Sequence, residues 1–202
     1  MSKLLIASNN PGKVQEYQSL FQNYSFELIT PAQLNISLNV DEIGKSYTEN
    51  AIIKANTLAQ ASGYLTLADD SGLEVDSLDG LPGIYSARFS PIKNADDADR
   101  RRYLLDKLKD KPHPWLAHFH CSIAIVRPGE EAQFTQGVCY GEIIPEEGGL
   151  LGFGYDPIFY LPQRECTMAE LTLHEKNQLS HRGLAFQAAI PILDNLSNKQ
   201  EY

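Results

Sequence analysis

The stretch Ser8-Asn9-Asn10-Pro11-Gly12-Lys13 constrains the fold most, because it stands between two different periodicities. Before it lies the short apolar run Leu4-Leu5-Ile6-Ala7, which reads as a buried strand; after it, Val14, Tyr17 and Phe21 recur at helical spacing. Asn10 suits a helix N-cap, and Pro11 suits the first helical position, where its missing N–H is not needed. A strand-loop-helix junction is therefore expected. Such a junction offers unpaired backbone N–H groups and the positive end of a helix dipole, to which Ser8, Asn9 and Asn10 add neutral donors and Lys13 a full charge. A phosphate group fits there. The pattern is not the G-x-x-x-x-G-K-[ST] loop, and a plain capped helix with a solvated lysine would look the same.

Further elements follow from local signals. Ser46 with Glu49 forms an S-x-x-E capping box ahead of Ile52, Ala55, Leu58 and Ala59, and Gly63 marks the end of that helix. Tyr64 to Ala68 reads as a strand carrying Asp69-Asp70-Ser71-Gly72 at its end, with a tight turn at Gly80-Leu81-Pro82-Gly83. A helix is expected over Asp96 to Leu108, with Arg100, Arg101 and Arg102 on its solvated face. Ala117 to Val126 and the segment through Phe134, Val138 and Tyr140 form an antiparallel hairpin turned at Pro128-Gly129. A glycine-rich loop spans Gly148 to Gly154, Thr167 and Glu170 form another capping box, and the last helix starts near Ser180 with Leu184, Phe186, Ala188 and Ile192 along it. This mixed order predicts an α/β fold with a mixed central sheet and flanking helices, in one domain over 1–202, rather than a doubly wound dinucleotide fold.

Composition limits the partners. With 17 Lys and Arg against 26 Asp and Glu, the formal charge of −9 disfavours a nucleic-acid partner, since neutralising phosphates takes clustered cations. No stretch approaches membrane-spanning length, and the N-terminus lacks a long apolar leader, so a cytoplasmic protein without a membrane partner is expected. Cys121, Cys139 and Cys166 are odd in number and widely spaced, which predicts reduced, buried thiols.

Chemistry concentrates in a few places. Asp69 and Asp70 are strand neighbours whose side chains must diverge, so one faces a pocket that the other flanks, with Glu42 a candidate to join it. Two carboxylates together with substrate phosphates and waters make a usual Mg²⁺ site. His118 and His120 share a strand face but lack a third ligand at useful spacing, so they read as sheet histidines. Phe153 and Asp156 on the glycine loop, then Lys176, His181 and Arg182, supply a stacking ring, an acceptor, cations and donors, a set able to recognise a purine base.

Taken together, SNNPGK, SYTENAIIKA, LADDSGLEVD, LPGIYSARFS, GFGYDPIF and AELT followed by EKNQLSHRG resemble the inosine triphosphate pyrophosphatase family, in order from Ser8 to Gly183. The resemblance implies hydrolysis of deaminated purine nucleoside triphosphates to monophosphate and pyrophosphate, two lobes around a cleft, and a homodimer. It implies that Ser8, Asn9, Asn10, Pro11, Gly12 and Lys13 cradle the triphosphate and that Lys54 faces phosphate. Glu42 and Asp70 would hold Mg²⁺, with Asp70 also the general base. Ser71, Phe153, Gly154, Tyr155, Asp156, Lys176, His181 and Arg182 would contact the nucleotide, Arg182 being a candidate reader of the purine 6-oxo group. Asn9 stands where that family often has glycine. On residues alone, a nucleotide sensor or another phosphohydrolase fits the same set.

Overall fold

The computed structural model describes residues 2–36 and 40–198. Its strands are β1 (Ser2–Ile6), β2 (Phe26–Ile29), β3 (Leu65–Val75), β4 (Trp115–Val126), β5 (Gln133–Ile143), β6 (Phe159–Leu161) and β7 (Cys166–Thr167). They form a seven-stranded sheet in the order β2-β1-β3-β4-β5-β6-β7. β1 runs parallel to β2 and β3, and every later pairing is antiparallel. The mixed sheet expected from the element order is the one observed.

Local signals set most helix ends. Pro11 opens α1 (Pro11–Leu20), and the Asn10 side chain accepts from the Lys13 N–H at 3.2 Å. Ser46 caps α2 (Tyr47–Ser62), which Gly63 closes at φ 72°, a left-handed conformation that glycine adopts without steric cost. The Glu49 carboxylate does not complete the expected capping box; it accepts from the N–H of Lys45 at 2.7 Å. Asp96 and Asp99 do form a reciprocal box, at the start of α3 (Asp97–Leu108).

Other elements depart from expectation. β2 is only four residues long and carries no distinctive pattern, so its neighbours in the sheet define it. β3 does not stop at Ala68 but runs through both aspartates to Val75, because β4 pairs with it continuously from Thr66 to Val75. A short helix, α4 (Leu173–Leu179), capped by Thr172 and Glu175, precedes α5 (His181–Asn198). On α5 the buried apolar side chains are Ala185, Phe186, Ala189, Leu193 and Leu196, whereas Ala188 is exposed and Leu184 and Ile192 are half-buried. The rotation follows from close contact with β5: a Cβ on Gly137 would lie 2.2 Å from the His181 carbonyl oxygen, so glycine lets the first turn of α5 rest on the sheet.

β3 and β4 each contribute to three cores. Leu65, Leu67, Cys121, Ile123 and Ile125 pack with Tyr17 of α1, Phe21 just after it, and Phe186 and Leu193 of α5. Farther along, Leu73, Val75, Trp115, Ala117 and Phe119 pack with Leu104 and Leu108 of α3. Ala51, Ala55 and Leu58 of α2 cover the opposite face with Leu5, Ala68 and Ala124. Asp69 to Gly72 thus cross from one core to the other, where polar side chains displace no apolar packing. No helix among the described residues is long and apolar enough to cross a membrane.

Candidate active site

Alternation along β3 sends Asp69 and Ser71 toward α1 and α5, and Asp70 toward α2. β1 ends beside them: Ile6 is in register with Leu67, and the Ala7 N–H donates to the Leu67 carbonyl at 2.8 Å. Ser8 to Lys13 therefore emerge next to the aspartates, at the carboxyl ends of parallel strands where α/β sheets characteristically bind ligands. The cleft formed there encloses about 370 Å³.

On the α2 side, the buried Asn50 donates to Asp70 Oδ2 at 2.9 Å and accepts from the Gly44 N–H at 2.8 Å, tying the loop that carries Glu42 to the strand. One turn on, Lys54 Nζ lies 2.8 Å from Glu42 Oε1 and 3.7 Å from Asp70 Oδ1, and Arg88 reaches Glu42 Oε2 at 3.2 Å. Burial is the largest influence on Asp70 and leaves its pKa raised despite Lys54 and Lys13. Glu42 is less buried, and Lys54 holds its pKa down.

The α1 and α5 side is a saturated ion network. Asp69 Oδ2 lies 2.9 Å from Lys13 Nζ and 3.1 Å from Arg182 Nη2. Glu16, 2% exposed, meets Lys176 at 2.7 Å and Arg182 at 2.5 Å, while Lys176 also meets Asp156 at 2.5 Å. Burial alone would raise the Asp69 pKa, but Lys13 and Arg182 together hold it well below the usual carboxylate range. The same balance, with Arg182 and Lys176 prevailing, lowers Glu16. Arg182 also donates to Ser71 Oγ at 2.9 Å, so most of its N–H groups are committed to protein partners.

The base-binding candidates gather over this network. The Phe153 ring lies 4.8 Å from Lys176 Nζ and packs against Gly12, where an added Cβ would meet the ring at 2.5 Å. Asp156 accepts from the Phe153 N–H at 2.8 Å and holds the loop, and Tyr155 is buried, donating to the Ser86 carbonyl at 2.9 Å. His181 stacks on Phe119 at 4.7 Å, and its buried Nδ1 has no hydrogen-bond partner among the described residues. Burial, with Arg182 and Lys176 nearby, pushes its pKa well below the ordinary histidine value, so the ring is neutral at pH 7.

Apart from Pro11 and Gly12, every residue expected at the site lines this cleft; Gly12 lies beneath the Phe153 ring. Glu16 and Asn50 were not foreseen: each was one polar residue on an otherwise ordinary helix. The arginine run departs from the solvated face expected of it. Arg102 is 73% exposed, but the side chains of Arg100 and Arg101 are only 19% and 12% exposed, because Asp97, Glu147 and loop carbonyls receive them. His118 contacts Glu74 at 3.4 Å, and among the described residues no group of three or more His, Cys, Asp or Glu is placed to hold a metal. The cysteines are free as expected, although Cys166 is half-buried.

Topology and cleft together define a mixed α/β protein in which a helix N-terminus, divergent carboxylates and a loop-borne aromatic ring share one binding groove. The chain belongs to the Ham1 family, whose model matches residues 4–192. It is 42% identical over 188 residues, 93% of this chain and 92% of the relative, to a protein named dITP/XTP pyrophosphatase from Listeria monocytogenes. A Bacillus subtilis protein of the same name is 38% identical over 96% of this chain and 98% of its own. The Ham1 protein structure from Coxiella burnetii superposes with a TM-score of 0.86 at 38% identity, covering 96% of this chain and 100% of that one. That of Staphylococcus aureus Ham1 gives 0.84 at 39%, covering 96% and 99%. The family resemblance read from the motifs is borne out.

Proposed function

We propose that this chain is a nucleoside triphosphate pyrophosphohydrolase. It converts the deaminated purine nucleotides ITP, dITP and XTP to monophosphate and pyrophosphate and so keeps them out of DNA and RNA. The observation that carries the residue-level reading is the unequal treatment of two adjacent aspartates. Asp69 is locked by cations, while Asp70 is buried, raised in pKa and lined up with Lys54 beside the α1 N-terminus.

In this reading Ser8 to Lys13 and Lys54 hold the triphosphate and draw off its charge. Asp70 orients a water and takes its proton as the oxygen attacks phosphorus, with pyrophosphate leaving. Glu42 and Asp70 offer hard oxygen donors on either side of one ammonium, a set that fits a divalent cation shared with substrate phosphates. Such an ion, Mg²⁺ in this proposal, would supply Lewis-acid stabilisation of the polyphosphate.

Phe153 stacks on the purine. Hypoxanthine and xanthine carry a 6-oxo acceptor where adenine carries a 6-amino donor. The unpartnered Nδ1 of His181, as a neutral N–H, would pair with the first and face the second donor to donor. Arg182, expected to read this group, holds the pocket's shape through Asp69 and Glu16 and contributes at most its remaining N–H. The 1–202 span acts as one catalytic domain, and the protein is a cytoplasmic homodimer; light scattering coupled to gel filtration tests the dimer.

The deciding measurement is pyrophosphate release from inosine, xanthosine, adenosine and guanosine triphosphates, with Mg²⁺ and with chelator. A preference of about 10²-fold or more for the first two, abolished by chelator, is expected. Orthophosphate as product, equal rates on all bases, or binding without turnover would overturn the proposal.

A further inference from the structure

The glycine loop is gripped from across the cleft. Gly154 donates its N–H to Asp97 Oδ2 at 2.7 Å and accepts at its carbonyl from Arg101 Nη1 at 2.8 Å. Asp97 and Arg101 are four residues apart, hence on one face of α3. The Arg101 fork is itself fixed on Glu147, Nε to Oε1 at 2.8 Å and Nη2 to Oε2 at 3.0 Å. Among the described residues, all three side-chain hydrogen bonds of Arg101 go to Glu147 and Gly154. The N-terminal cap of that helix is the Asp96 and Asp99 pair, separate from these two residues.

Gly154 sits at φ +64° with open space where a Cβ would be, so glycine is required there for its backbone conformation rather than for room. Its neighbour Phe153 faces the opposite wall, against Gly12. The dipeptide therefore spans the cleft, with its ring on the α1 wall and its backbone held by α3.

We propose that Asp97 and Arg101 are positioning residues that clamp the Gly154 backbone and thereby set the plane of the Phe153 ring for purine stacking. The kinetic part rests on the proposed function; the clamp itself does not. A clamp acting only through the ring affects binding of the base and leaves the polyphosphate end alone.

In Asp97→Ala and Arg101→Ala, KM for ITP should rise roughly tenfold with kcat within about twofold. The Ki of inorganic triphosphate, which has no base, should stay within about twofold of wild type. Asp97→Asn, whose amide oxygen still accepts from Gly154, should restore most of the loss. In a Phe153→Ala background, adding Asp97→Ala should raise KM no further. Hydrogen exchange supplies a reading free of turnover: the Gly154 amide should lose protection in Asp97→Ala while the amides of Leu104 to Leu108 keep theirs. Unchanged Gly154 protection, additive effects with Phe153→Ala, or an equal rise in the triphosphate Ki would overturn the clamp. A wild-type protein inactive on ITP would overturn the function instead, with the exchange measurement still deciding the clamp.

Discussion

The two faces of β3 hold the same residue type in opposite states. Asp69, toward α1 and α5, is enclosed by Lys13 and Arg182 and stays ionised through any physiological pH. Asp70, toward α2, is also buried, yet it is paired with a lysine 3.7 Å away that it shares with Glu42, and burial raises its pKa. In the proposed mechanism one aspartate is structural because its charge is spent, and its neighbour is the base because its charge is not. The separation of pKa values between paired carboxylates is how one site assigns different roles to identical groups.

The comparison is most directly broken at Asp70. Asp70→Asn keeps the size and the Asn50 contact but removes the base, so turnover of ITP should fall by about 10³-fold or more while the melting temperature moves little. A near-normal rate would end the assignment. The mirror substitution, Asp69→Asn, should act on stability: it leaves Arg182 and Lys13 short of a counter-charge in a buried setting, costing about 3–5 kcal/mol. For a chain this long that corresponds to a drop of roughly 10 °C, read by calorimetry. If Asp69→Asn melts normally and only turnover suffers, the two roles are not divided as argued.

A smaller effect sharpens the contrast through pH. His181 has a folded pKa below its unfolded value of about 6.5, so its contribution is full above that value. It is lost as pH falls below it, because the unfolded chain takes up the proton first, at up to ~1.4 kcal/mol per pH unit. Asp69 and Glu16, also lowered, add their losses only farther down, below about pH 4.5. Melting temperature should therefore decline between pH 6.5 and 5 in the wild type and decline less steeply in His181→Gln, where His120, its pKa also lowered by burial, still contributes. A wild-type curve that is flat there would show the imidazole to be chargeable in place.

Much of this was legible from neighbouring residues. The Asn10 cap, Pro11 at the helix start, the Gly63 stop and the β4–β5 hairpin depend on groups a few positions apart, and they form where expected. The divergence of Asp69 from Asp70 is likewise a consequence of strand alternation alone. The extent of β3 was not legible, since a polar run reads as a strand end until a partner strand supplies its hydrogen bonds. Arg100 and Arg101 read as solvated because nothing nearby in the chain announces Glu147 or Gly154 as partners.

By itself, then, the order of residues determined the caps, the alternation, the family and the set of groups able to meet a nucleotide. Tertiary structure alone decided which charges are spent on each other. Glu16 is an unremarkable helix glutamate until Arg182, 166 residues away, arrives within 2.5 Å of it. The pKa of a buried group follows from its desolvation and its nearest charges, and both are properties of the packed chain rather than of its local spelling.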